Sequence, residues 1–218
     1  MEAEIAHSNG ERIAAVPATR LLPYARRKEA AAPTRMEAEA AVRTLIRWAG
    51  DDPDRDGLRD TPARVARAYE EWFRGYREHA DSLLERTFDE IGGYQDPVLL
   101  RDIPVNSFCE HHMAPIRGQA HIAYLPAQHV VGISKLVRVV ETFSRRLQIQ
   151  ERLTDDIANV IDVSLRPLGV AVVIEADHDC MTTRGVRTHA TRMITRRTLG
   201  AFAEDADMRR DFFNAIGI

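Results

Sequence analysis

Lysine and cysteine are the scarce residues of this 218-residue chain. Lys28 and Lys135 are the only lysines, so nearly all positive charge is arginine, and a lysine at a defined place says more than any one arginine. Two cysteines, Cys109 and Cys180, are too few for a disulfide framework at this length and point to a reducing, cytoplasmic setting. The longest apolar run, around residues 170–174, is far short of the roughly 20 residues of a membrane span, so no membrane partner is expected. The opening Met-Glu-Ala-Glu has neither the basic nor the apolar region of a secretory signal. A net charge of -3 lacks the positive excess of a general nucleic-acid binder. With 44% hydrophobic residues the chain has the means to bury a core.

Residues 1–35, broken by Pro17, Pro23 and Pro33 and without sustained periodicity, read as a mobile N-terminal tail. Residues 36–92 read as a helical segment. Val42, Leu45, Ile46 and Ala49 follow helical spacing up to Gly50, and Thr61-Pro62 reads as an N-cap with proline at the first helical position. Val65, Tyr69, Trp72 and Phe73 make the apolar stripe of that second helix, and residues 80–88 a further short one. Residues 93–218 turn to a β-β-α-α-β-β order: strands over 98–108 and 119–125, helices over 134–147 and 150–165, strands over 170–180 and 186–198. A helix over 205–216 closes the chain. The fold class expected is α+β.

Chemistry concentrates in Cys109-Glu110-His111-His112, which places a thiol, a carboxylate and two imidazoles in four consecutive residues. Cys109 and His112 have the C-x-x-H spacing that lets both reach one ion, and Cys180 lies in a second dense cluster, His178-Asp179-Cys180. In an extended strand residues two apart share a face, so His178 and Cys180 are expected to point the same way. Two thiolates and one imidazole with an open fourth position is the pattern of catalytic zinc, leaving His111 and His178 for proton transfer. The competing readings are inert cysteines beside surface histidines, or a Cys109–Cys180 disulfide, which the compartment disfavours.

Ser134-Lys135 opens a helix, with Arg138 one turn on, so amides, a hydroxyl and two cations converge as a phosphate site does. Arg184-Gly185-Val186-Arg187 adds cations on a glycine turn, although for any single arginine a solvated surface role competes. Gln150-Glu151 begins the next helix. A carboxylate beside an amide suits the N–H edge of guanine, but on spacing alone a favourable charge at a helix N-terminus is the preferred account of Glu151.

The segments Cys109-Glu110-His111-His112, Gly132-Ile133-Ser134-Lys135, Gln148-Ile149-Gln150-Glu151-Arg152-Leu153-Thr154, His178-Asp179-Cys180-Met181 and Arg184-Gly185-Val186 occur in fixed order. Together with Asp56-Gly57-Leu58 and Thr61-Pro62-Ala63-Arg64-Val65-Ala66, this set resembles the zinc-dependent type I GTP cyclohydrolases over residues 36–216. The resemblance implies a tunnelling fold assembled as a decamer of two pentameric rings. It also implies conversion of GTP and water to formate and 7,8-dihydroneopterin triphosphate, the entry to pterin and tetrahydrofolate biosynthesis. By motif position it assigns zinc to Cys109, His112 and Cys180, and proton transfer near N7 to His111. His178 and Ser134 take the protons around the ribose, and Glu151 and Gln150 the guanine edge, against the helix-charge reading. Lys135, Arg138 and Arg184, with Arg64 and Arg67 of the N-terminal helix, take the triphosphate. The stretch Arg187-Thr188-His189-Ala190-Thr191-Arg192-Met193 departs from the family in being more basic.

Zinc nucleobase deaminases also use one histidine and two cysteines, but they need H-x-E and P-C-x-x-C, and this chain has neither. A zinc-stabilised GTP-binding regulatory protein without turnover is the non-enzymatic alternative.

Overall fold

The computed structural model describes residues 32–88 and 93–218. Most of the expected tail, residues 1–31, lies outside the described residues. Thr34 already caps the first helix, α1 (Arg35–Trp48), in a reciprocal capping box with Glu37. Helix α2 (Thr61–Trp72) starts as expected, but Asp60 occupies the N-cap and Thr61 is its first residue, followed by Pro62. A 3-10 turn, Arg74–Arg77, and a single helical turn, α3 (Ala80–Leu83), complete the helical segment. The helix expected over 80–88 stops early because Thr87–Phe88 is a strand, β1, paired with β4 (Val130–Val131).

The main sheet has the order β5-β2-β3-β6-β7. Strand β3 (Pro115–Leu125) pairs antiparallel with β2 (Val98–Cys109) and with β6 (Gly169–His178), and β6 pairs antiparallel with β7 (Met193–Gly200). The helix expected to run to Leu147 ends at Ser144, and Leu147–Gln148 forms β5, parallel to the end of β2. Gln148 Nε2 donates to the Phe143 carbonyl and the Leu147 amide to the Tyr76 hydroxyl, giving that turn partners other than a helix.

Period-two patterning separates the two faces of the sheet. Val170, Val172 and Ile174 of β6 pack with Ile103, Ile122 and Tyr124 under helices α4 (Ile133–Ser144) and α5 (Gln150–Leu165). Ala171 and Val173 join Ala123 and Leu125 under Phe202, Phe212 and Ile216, from α7 (Ala201–Glu204) and α8 (Ala206–Ile216). The sheet is therefore covered on both faces, and the β-β-α-α-β-β unit with its C-terminal helix is as the sequence implies. Gly75 docks the 3-10 turn onto the end of α4. A Cβ there would stand 2.1 Å from the Thr142 carbonyl oxygen, so only glycine allows that approach.

Asp156 on α5 lies partly buried behind β5, near Arg146, Arg152 and Gln148. Burial pushes its carboxyl up to about 6, against the pull of the two arginines. Its contribution to stability is thus complete below the unfolded value near 4 and is lost as pH rises through 6. Asp156→Asn should raise Tm by a few degrees at pH 8 and leave it nearly unchanged at pH 4. Thermal unfolding of the two proteins at both pH values checks the sign.

Candidate metal centre

The centre is built where β2 and β6 end on either side of β3. The ladder pairs Phe108 with Pro115 and Ile116 with His178, so the last residues of two distant strands meet at one end of the sheet. After Cys109 the chain turns back tightly. The Cys109 amide donates to the Ala114 carbonyl at 2.8 Å and the Met113 amide to the Cys109 carbonyl at 2.8 Å, with Met113 at φ 55°. That turn folds both imidazoles back over the thiol. Cys109 Sγ lies 3.6 Å from His111 Nδ1 and 4.0 Å from His112 Nδ1.

Cys180 arrives differently from the expectation. Strand β6 ends at His178, and Cys180 sits in a single helical turn, α6 (Asp179–Thr182), so the same-face argument for two strand residues does not apply. The turn carries Cys180 toward Cys109 while His178 reaches α5, where its Nε2 lies 2.8 Å from Gln150 Oε1. Arg117 anchors α6 from β3 through Asp179 at 2.6 Å.

Cys109, His112 and Cys180 each offer one ligand atom, and these atoms all lie within 4.8 Å of one another. His111 is nearer to the Cys109 thiol than His112 is, but only His112 shares the common space with both thiols. Burial, and then the adjacent Cys109 thiol, pushes the Cys180 thiol up. The positive charge of Arg184 opposes that rise without cancelling it. A soft divalent ion would add the charge that favours a thiolate there, and the two-sulfur, one-nitrogen donor set suits such an ion. Burial pushes His178 down, opposed by Glu151 and Asp177, so its imidazole is held toward the neutral form.

The surroundings divide the remaining candidates. Arg184 Nη1 lies 2.9 Å from His112 Nε2, directly at the centre. Glu151 is exposed at the start of α5, whereas Gln150 is only 1% exposed. Ser134 and Lys135 stand in the first turn of α4, exposed and half-buried. Arg138 lines a cleft of about 380 Å³ with Glu78, Ser82 and Glu141. Arg64 pairs with Asp60 at 3.1 Å and Arg67 is exposed, both on α2. Among the described residues, no hydrogen bond or ion pair joins Lys135, Arg138, Arg64 or Arg67 to the metal cluster.

Two further contacts support the centre. Arg152 pairs with Glu110, and the Glu110 amide donates to the Gln148 carbonyl at 3.0 Å, fastening the metal loop to α5 and β5. Thr154 and Thr195 meet beside Gln150 at 2.6 Å. Opposite charges inside two motifs signal the first pair, but nothing in the sequence signals the second.

An α+β unit with a Cys-His-Cys group able to hold a metal ion at one end of its sheet, and two further imidazoles beside it, has the parts of a metal-dependent hydrolytic enzyme. The sequence profile of GTP cyclohydrolase I matches residues 38–217, and the chain belongs to that family. GTP cyclohydrolase 1 of Hyphomonas neptunium is 56% identical over 185 residues, covering 85% of this chain and 90% of that protein. The protein of the same name from Maricaulis maris is 54% identical over 184 residues, 84% of this chain and 90% of its own length. Among solved structures, the apo archaeosine synthase QueF-Like aligns with 49% of this chain and 96% of its own, at 14% identity and a TM-score of 0.39.

The division between the two adjacent histidines is testable without turnover. His112→Ala should weaken metal binding at least ~10-fold, as even residues outside the ligand set do at such centres, while His111→Ala should retain it. Metal per chain after dialysis against a weak chelator checks both.

Proposed function

We propose that this chain opens the imidazole ring of GTP with water, releases C8 as formate and recloses the ring system as 7,8-dihydroneopterin triphosphate, with one net water consumed. The observation that carries this reading is the convergence of three ligand atoms within 4.8 Å beside two imidazoles that are not needed as ligands. Cys109, His112 and Cys180 would hold zinc, which when bound would supply an acidified water as the nucleophile for C8.

The chain's own groups do the rest. His111, exposed beside the Cys109 thiol, gives and takes the proton at N7 as the five-membered ring opens and the formyl group leaves. His178, held toward neutrality, moves protons around the ribose as it opens and rearranges, with Ser134 at the α4 N-terminus. The exposed carboxylate of Glu151 accepts from the two adjacent N–H groups of the guanine edge. Arg184, Lys135 and Arg138 take the triphosphate, joined by Arg64 and Arg67 from a neighbouring subunit.

A ring-shaped homo-oligomer, a decamer of two pentamers, is part of the same reading. It is supported by α1, which buries no residue among the described ones and exposes Trp48, and by β7, which lies at the edge of the sheet among the described residues. Two free cysteines fit a cytoplasmic setting. No described helix is long and apolar enough to cross a membrane.

The test is to incubate metal-loaded protein with GTP and follow formate together with pterin fluorescence after oxidation. His111→Ala should bind GTP normally and lose about 10²–10⁴-fold in formate release. GTP binding without any formate from the wild-type protein would instead establish a regulatory GTP-binding protein.

A further inference from the structure

Gln150 is a fully buried polar residue near the centre, and both ends of its amide are already committed. It is 1% exposed at the first turn of α5. Its Nε2 donates to the Ile174 carbonyl at 3.0 Å, the Met193 carbonyl at 2.9 Å and the Thr195 hydroxyl at 3.1 Å. Its Oε1 lies 2.8 Å from His178 Nε2.

These contacts remove any ambiguity about direction. A carbonyl oxygen only accepts, so the end of the amide that faces Ile174 and Met193 must be the NH₂ group. Turning the amide over would put Oε1 against two carbonyl oxygens with no proton between them. The other end is therefore the oxygen, and an oxygen 2.8 Å from a ring nitrogen requires that nitrogen to be the donor. The threonines close the network in the same sense. The Thr154 hydroxyl donates to the Gln150 carbonyl at 2.8 Å, which leaves its oxygen to accept from Thr195 at 2.6 Å, and Thr195 in turn accepts from Gln150 Nε2. The two N–H of the amide are shared among three acceptors, and the two backbone carbonyls among them suffice to fix which end is the nitrogen.

We infer that Gln150 is a positioning residue that locks the proton of His178 on Nε2, so that Nδ1 is the nitrogen through which this imidazole exchanges protons with the substrate. Nδ1 makes no hydrogen bond among the described residues, and Nε2 cannot lose its proton without stranding a buried amide oxygen. The assignment differs from reading guanine, because a buried amide with both ends engaged has nothing left to offer a base edge. Recognition of the guanine N–H groups then rests on the neighbouring Glu151 carboxylate, which is exposed. The lock also spans elements: α5 supplies Gln150, β6 supplies Ile174 and His178, and β7 supplies Met193 and Thr195.

The catalytic consequence rests on the turnover proposed above, but the proton position does not, so two experiments separate the two claims. Neutron diffraction from the zinc-loaded protein should place a deuteron on His178 Nε2 and none on Nδ1 at neutral pH. A deuteron on Nδ1 with a bare Nε2 overturns the inference, whatever the activity. For Gln150→Leu, formate release should fall about 10- to 100-fold in kcat, the usual cost of losing an orienting partner, with KM for GTP within two-fold of wild type. Its preference for GTP over ITP, which lacks the 2-amino group, should be unchanged, whereas Glu151→Gln should lose that preference. A raised KM with lost GTP preference in Gln150→Leu makes Gln150 a base reader and overturns the inference. Absence of formate from the wild-type protein defeats the proposed function while leaving the deuteron position as the deciding result for Gln150.

Discussion

The antiparallel register between β3 and its two neighbours is the constraint from which the site follows. Backbone ladders fix which residues lie opposite one another, and a one-residue slip would send every inward side chain to the wrong face. Pairing Phe108 with Pro115 and Ile116 with His178 ends two strands at the same edge of the sheet. The chain then needs only a tight turn after one strand and a single helical turn after the other to bring the sulfur atoms of Cys109 and Cys180 into one space. Burial of Val170, Val172 and Ile174 against α4 and α5, and of Ala171 and Val173 against α7 and α8, leaves that register no freedom.

The same packing explains why the second layer around the centre is polar without being loose. Helix α5 lies on the sheet through Leu153, Ile157 and Ile161, which places its first turn over the ends of β6 and β7. Gln150 and Thr154 are thereby buried but face carbonyls and hydroxyls, and each finds a partner. Arg152, on the other side of the helix, reaches the metal loop through Glu110. A buried polar group without a partner would cost more than the bond itself is worth, so such a network is rigid when complete.

Much of this was legible from residue order. The alternation in β6 and the apolar periodicity of α4 and α5 have a purely local cause, and all three elements are present, although α4 stops at Ser144 and β6 at His178, short of the expected ends. The elements that differ were decided by tertiary partners. Leu147–Gln148 is a strand because β2 offers it an open edge, and the segment at Thr87–Phe88 is a strand because β4 does. Cys180 illustrates the same limit at the centre: two cysteines beside histidines marked a metal site, but the helical turn that presents one of them is tied through Asp179 to Arg117 of β3, a partner distant in sequence. The role of Gln150 was hidden for the same reason, since its four partners come from two strands, β6 and β7, that only the folded sheet brings to the start of α5.

Exposure across the three ligands falls in steps: Cys109 is buried, Cys180 is half-buried and His112 is exposed. The centre therefore has a floor and a mouth. Its floor belongs to the hydrophobic core and cannot shift without disturbing Ile116 and Ile174, while its mouth belongs to a turn of five residues. An ion bound there would be open on the side of His112 and closed on the side of Cys109, and that asymmetry follows from how deeply the sheet plants each of the three residues.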